Sequence, residues 1–307
     1  MVRYPRSRSR IPWFIIFMLL PSILLTVCFF ILPALITAAM GFTSMDFRFR
    51  WDFIGLGNYF KMIGDFLLGR ILLNTGVYVS GTLAIFNVTF GLILAILTTS
   101  IHERTGLFFR SLWLLPRFSP AVVYAAIWLW MLSPTENGLL NGLRMALGAE
   151  PISWISSYPW GVIILTNGII GASMGMVIFS SAIKSISPDY LWAARVDGAS
   201  WLQEIRYVVL PMIRWPLLFI TAFQTLSLLT SYEYILLITR GGPFYASTTW
   251  ALHAYKLAFD VYAGTYAFGY GAALATVLVL IGTVASIAYW RWFRFREMME
   301  EPRIEVT

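Results

Sequence analysis

The sequence predicts an all-α, polytopic membrane protein with six transmembrane helices and both termini in the cytosol. Three observations carry that reading. Hydrophobic residues make up 59% of the 307 residues and charged residues only 12%, too few to cover a soluble domain of that length. Six stretches are long and apolar enough to cross a bilayer, which takes about 20 residues each. Lys and Arg fall unevenly between the segments that join those stretches.

The first span, at about 13–41, follows Arg3, Arg6, Arg8 and Arg10. It is too long for the apolar region of a cleaved signal peptide and reads as an uncleaved signal-anchor. Cys28, the single cysteine, lies inside it, where packing is its expected role; one cysteine builds no disulfide or metal framework. The second span covers about 71–99. The third, about 111–133, contains Leu115-Pro116 and Ser119-Pro120, two prolines that bend or loosen a helix. Arg117 lies within it, roughly 10 Å from the cytosolic end at 1.5 Å per residue. From that depth its side chain is expected to snorkel to the cytosol. The fourth, fifth and sixth spans fall at about 159–183, 215–238 and 265–290. Little chain remains outside them, so one domain over residues 1–307 is expected, with a cytosolic loop at about 185–214.

Orientation follows from the basic residues. With the N-terminus inside, fourteen of the 22 Lys and Arg residues fall in cytosolic segments and seven outside. Arg291, Arg294, Arg296 and Arg303 after the last span belong to the larger group. The ratio puts the 185–214 loop in the cytosol. The net charge of +7 then reflects orientation and calls for no nucleic-acid partner.

Two spans carry polar stripes. Asn167, Ile170, Gly171 and Met174 are spaced i, i+3, i+4, i+7 and share one helical face. Gln224, Ser227, Leu228 and Ser231 repeat that spacing on the fifth span. Amides and hydroxyls suit a neutral polyol, since each donates or accepts hydrogen bonds. The same residues also serve interhelical hydrogen bonding and close packing. Glu233, near the outer end of the fifth span, reads as a polar element of an outer gate or a contact to another helix.

The segment from Tyr190 to Pro216 is the one long polar interruption in the second half of the chain. Ser187-Pro188-Asp189 reads as a helix start: Ser caps free N–H groups, Pro suits the first position, and Asp complements the positive end of the dipole. The helix is expected from Pro188 to about Gly198. Asp197-Gly198 ends it, Gly permitting a backbone angle or a close approach that other residues resist. A second helical stretch leads to Leu210-Pro211.

The order Trp192-Ala193-Ala194, Asp197-Gly198-Ala199, Leu210-Pro211 resembles the cytoplasmic EAA loop of permeases from binding-protein-dependent ABC importers. Phe53-Ile54-Gly55-Leu56-Gly57-Asn58-Tyr59 resembles an F-x-G-L-x-N-Y segment of the sugar-type permeases. Asn137-Gly138-Leu139-Leu140-Asn141 and Pro151-Ile152-Ser153-Trp154 fit their G-L-x-N and P-I-x-W patterns. Leu237-Ile238-Thr239-Arg240-Gly241-Gly242-Pro243, Tyr255 to Phe259 and Gly269 to Ala275 continue the match in family order. The chain is therefore similar to carbohydrate ABC transporter permeases, the group that contains the maltose and glycerol-phosphate importers.

That resemblance implies a membrane subunit that performs no chemistry and has no catalytic or metal-binding residues. Its implied partners are a second homologous permease, two ABC ATPase subunits that hold ATP and Mg, an extracytoplasmic sugar-binding protein and membrane lipid. Its implied location is the inner membrane of a prokaryote. The chain itself has no G-x-x-x-x-G-K-[ST] sequence and so no Walker A loop. The resemblance assigns ATPase coupling to Trp192, Ala193, Ala194, Asp197, Gly198 and Ala199. Trp192 stands where the family usually has Glu, replacing a charged contact by an apolar one. It assigns the solute path to the two polar stripes, and it finds Asp usual at the position of Glu233.

Two other classes stay open on the residues alone. A permease for a non-sugar solute shares the coupling loop, although Gly241-Gly242-Pro243 and Tyr255 to Phe259 argue against it. An ion-coupled secondary transporter is expected to carry buried acids near the midplane and internal repeats; neither is evident. A membrane-embedded enzyme fits less well, because His102 and His253, the only histidines, are expected in different loops on opposite sides.

Overall fold

The computed structural model describes residues 13–259 and 266–292. The arginines at 3, 6, 8, 10, 294, 296 and 303, both termini, and the expected start of the last span at 265 lie outside those residues. In chain order the helices are α1 at 13–40, α2 Gly57–Ile63, α3 at 66–100, α4 Glu103–Phe118, α5 Ala121–Met131, α6 Leu139–Ala146 and α7 Pro159–Lys184. They continue as α8 Pro188–Val196, α9 at 201–212, α10 Arg214–Thr230, α11 Glu233–Ile238, α12 Trp250–Phe259 and α13 Phe268–Trp292.

Four of these, α1, α3, α7 and α13, are each long and apolar enough to cross a membrane. The pairs α4–α5 and α9–α10 are apolar enough as broken spans, bent by 98° and 68°, which brings the number to six. The third span begins at Glu103 rather than near 111. Its polar first turns are held by Glu103, which accepts hydrogen bonds from Arg110 and from Lys184 of α7. Pro116 is tolerated inside α4; the break comes at Ser119, whose ψ is 138°. Pro120 forces it, since a residue before proline is driven from the helical region. The fifth span likewise ends early, at Thr230, where Ser231 is extended (ψ 122°) and α11 restarts the helix.

Helix α7 is the centre of the bundle. Two-thirds of its apolar window (67%) is buried, against 28% for α13 and none for α1. It lies on a widened, π-helical stretch of α3, Thr82–Phe90. Gly168, Gly171 and Gly175 make the contact, spaced i, i+3 and i+7 on one face. A methyl on Gly168 would sit 2.3 Å from a ring carbon of Phe86, one on Gly171 2.0 Å from Asn87 Oδ1, and one on Gly175 2.3 Å from the Asn87 carbonyl oxygen. Small residues let two membrane helices approach backbone to backbone, and here no larger residue fits. The run Gly269 to Ala275 does the same for α12 on α13: a methyl on Gly271 would lie 2.9 Å from the Ala258 Cβ.

Single asparagines fasten the connecting loops. Asn58 donates to the carbonyls of Gly41 (2.9 Å) and Thr43 (2.8 Å). Asn141 donates to Ser133 O and Ile152 O and accepts from the Ile152 amide and the Trp154 indole, at 2.9–3.1 Å. Asn74 of α3 donates to Tyr245 O (3.0 Å) and Thr248 O (3.1 Å), holding the turn after Gly241-Gly242-Pro243. Buried backbone carbonyls need such partners, and one amide side chain supplies both donors. His253 sits on helix α12, not in a loop. Burial holds its imidazole below the ordinary range, although Asp65 lies 4.0 Å away.

The seam makes a testable demand. Gly175→Val should destabilise the bundle by about 1–3 kcal/mol through overpacking, seen as a lower melting temperature in detergent. Gly76→Ala, where nothing lies within 4 Å, should melt like the parent. Equal melting of Gly175→Val and the parent would mean that the helices are not in contact there.

Candidate functional site

The two polar stripes converge. A cavity of about 290 Å³ is lined by Asn167, Ile170 and Gly171 of α7, by Gln224, Ser227 and Leu228 of α10, and by Ser231 just beyond it. Asn87, Arg117 and Tyr234 complete the wall. Ligand pockets start at about 300 Å³, so one chain alone provides a small site.

Each polar group has a traceable setting. Asn167 Nδ2 donates to the Tyr78 hydroxyl and to Ser231 Oγ (3.3 Å), and Tyr78 donates to Ser231 Oγ (3.1 Å). This triad links α3, α7 and the break after α10. Gln224 Nε2 donates to the Gly171 carbonyl (3.1 Å) and Arg117 Nη1 reaches the adjacent Ile170 carbonyl (3.5 Å). Asn87 lies under Gly171, fully buried, with neither side-chain atom hydrogen-bonded. Leaving a buried amide unpaired costs about 1–3 kcal/mol per group, and functional sites are where proteins carry such costs.

Of the expected path residues, Met174 is the one the structure places elsewhere. It packs against the cluster of Ala95, Phe179 and Ile220. It shares the face of Asn167 but lies about 10 Å further along the helix at 1.5 Å per residue, past the end of the cavity. Glu233 is exposed in the first turn of α11 and does not line the cavity; a carboxylate is favoured there by the helix dipole. Arg117, expected to snorkel, is exposed in this chain and also lines the cavity. Neither Asn87 nor Tyr234 was singled out from the sequence. Asn87 offered a signal, being an amide in an apolar span opposite three glycines at helical spacing.

The loop after α7 has its own geometry. Helix α8 ends at Val196, and Gly198 has a φ of +81°, with nothing within 4 Å of where a methyl would stand. Within this chain, then, Gly198 serves the backbone angle rather than a close approach. Ser187 does not cap the backbone; its hydroxyl donates to Asp189 Oδ2 at 3.1 Å. The carboxylate, already placed for the dipole, is the stronger acceptor. Trp192, Ala193, Asp197 and Gly198 are exposed, and Ala194 and Ala199 are half-buried. Trp192 and Val196, four residues apart on one face of α8, are exposed, as are Tyr190 and Trp201. Arg195 of α8 grips Glu204 of α9 with both ends of its guanidinium, Nε to Oε2 at 2.9 Å and Nη2 to Oε1 at 3.0 Å. The Glu204 partner raises the Arg195 pKa above its ordinary value. Ser200 N donates to Gln203 Oε1 at 2.7 Å and so starts α9.

A helical membrane bundle with a polar cavity between two spans, and a stiff loop joining those spans, defines a transport permease. The chain belongs to the family of binding-protein-dependent transport system inner membrane components, whose pattern matches residues 87–293. It is 32% identical to a probable ABC transporter permease protein of Pyrococcus horikoshii over 94% of this chain and 97% of that one. It is 26% identical to the lactose transport system permease protein LacF of Rhizobium radiobacter, over 90% and 92% of the two chains. Its fold matches a chain of a bacterial alginate ABC transporter with a TM-score of 0.77 at 21% identity, covering 90% of this chain and 92% of that one. The MetNI methionine ABC transporter matches at 0.51 and 17%, over 75% and 98%, so the fold itself does not select the solute.

Proposed function

We propose that this chain is one permease of an ATP-driven importer for a sugar or related polyol. It pairs with a second homologous permease, rests on two ATPase subunits that hold ATP and Mg, and receives solute from an extracytoplasmic binding protein. It lies in the inner membrane of a prokaryote as one transmembrane unit, with both termini and the 185–214 loop in the cytosol. One observation carries the reading: amides and hydroxyls from α7 and α10 face a common cavity, and α8–α9 is the covalent link between those two helices. Groups that both donate and accept match hydroxyl-rich solutes. The names of two relatives agree with this: the lactose permease above, and an alpha-glucoside permease, AglF of Rhizobium meliloti, 29% identical over 91% of this chain and 80% of that one.

The geometry provides a lever. Helix α7 runs through Ser185–Ser187 into α8; the Arg195–Glu204 pair fixes α8 to α9, and α9 meets α10 at the 68° bend. A push on α8, through Trp192, Ala193 and their neighbours, therefore reaches both cavity walls at once. The link breaks differently on the two sides, at extended Ser187 (ψ 133°) after α7 and at the 68° bend before α10, so the two walls respond differently. The Asn167–Ser231 contact opens and closes, presenting and releasing hydroxyl partners. Glu233, outside the cavity at the start of α11, borders the route at the gate.

Two outcomes follow. Gly198→Val, which strains a residue at φ +81°, should abolish most transport and most binding-protein-stimulated ATPase activity. Gly198→Asn, which tolerates that angle, should retain most of both. Equal loss in both variants would mean that the backbone angle is not what matters. Asn167→Leu should leave Tyr78 and Ser231 short of a partner and weaken solute handling by about 1–3 kcal/mol, seen as a raised apparent KM for uptake in proteoliposomes with ATPase assembly intact. Normal uptake by both Asn167→Leu and Gln224→Leu would show that the other permease alone holds the solute.

A further inference from the structure

We infer that the solute handled by this cavity carries a negative charge, a carboxylate or phosphate on a sugar, and that Arg117 receives it. This deepens the proposed function and rests on the cavity being the solute path.

The argument begins with what surrounds the guanidinium. Arg117 closes the last turn of α4, just before the break at Ser119-Pro120; it is exposed in this chain and lines the cavity. Among the described residues its hydrogen bond is one long contact, Nη1 to the Ile170 carbonyl at 3.5 Å. No carboxylate among the described residues forms an ion pair with it. No acidic side chain among them lines the cavity. The carbonyl end of α4 contributes at most about half an elementary charge, which leaves a net positive centre. A membrane bundle does not hold an unpaired cation without cause; intramembrane charges pair or mark a transport path.

The groups beside it are built for an oxyanion on a hydroxylated body. Gln224 takes the Gly171 carbonyl, next to the Ile170 carbonyl that Arg117 reaches, so the two side chains bond adjacent carbonyls of α7. Asn87, fully buried beneath Gly171, has both amide atoms unspent. The amides and Ser227 and Ser231 serve hydroxyls. Neutral hydroxyls bring no charge to the guanidinium, whereas a carboxylate or phosphate does so and accepts two parallel N–H bonds from its fork. A charged partner on the second permease is the rival explanation, and it predicts that added anions find no place.

The test uses the assembled transporter, purified with both permeases and its ATPases. Its thermal stability is measured with glucuronate, glucose 6-phosphate and glucose, each at the same concentration and ionic strength. The expected result is stabilisation by glucuronate, by glucose 6-phosphate or by both, beyond that given by glucose; the arm that responds tells carboxylate from phosphate. Arg117→Gln should weaken that anion effect about tenfold or more in apparent affinity. Arg117→Lys, which keeps the charge but loses the fork, should retain part of it and controls for assembly. No anion-specific stabilisation, or one that persists in Arg117→Gln, overturns the inference. Either result leaves the proposed permease role intact, because that role is tested separately by Asn167→Leu and Gln224→Leu.

Discussion

The contact between α7 and the widened stretch of α3 is the constraint on which the rest of the structure depends. Three glycines leave α7 without side chains along the line of contact, and α3 fills the space with Phe86 and Asn87. Without lipid-excluding hydrophobic force, membrane helices associate through such packing and through shared hydrogen bonds. The seam fixes where α7 stands, and α7 carries Asn167 and Gly171. It also brings Tyr78 within reach of Asn167 and Ser231. Cavity position is thus a consequence of glycine spacing.

The cavity shows how the bundle spends polar groups. Most of them are satisfied within the chain: Asn167 by Tyr78 and Ser231, Gln224 by Gly171. Asn87 is not, and Arg117 has one long bond and no ion pair among the described residues; both adjoin the same turn of α7. The loop beyond α7 is arranged in the opposite sense. Its apolar side chains face outward at Trp192, Val196 and Trp201, while its ion pair, Arg195 with Glu204, is spent internally on stiffness.

Much of this was legible in the residues. Apolar run length gave the six spans, and the i, i+3, i+4, i+7 spacing gave the two stripes, because both signals are local and periodic. The break at Ser119-Pro120 was announced by proline, but its size was not, since a bend depends on what the following helix packs against. Tyr124, Ala125 and Trp128 of α5 pack with Val162 and Ile170 of α7 and Ile238 of α11, a set of contacts without sequence proximity. That Arg117 also borders the cavity was hidden for the same reason. Depth along a helix can be counted, whereas the direction of a side chain near a 98° bend cannot. The asparagines at 58 and 141 sat in recognised family patterns, and their work proved structural, closing loops through backbone carbonyls. Met174 fell out of the cavity because a shared face says nothing about where along the helix a cavity ends.

The central claim is that α7 and α10 move relative to one another when α8 is displaced. Asn167 and Ser231 span that joint, 3.3 Å apart. The most direct measurement places Asn167→Cys and Ser231→Cys in a Cys28→Ser background and follows uptake by the reconstituted transporter before and after oxidation. The account predicts that the disulfide arrests uptake and that reduction restores it. Uptake at the unlocked rate with the disulfide fully formed would contradict the account.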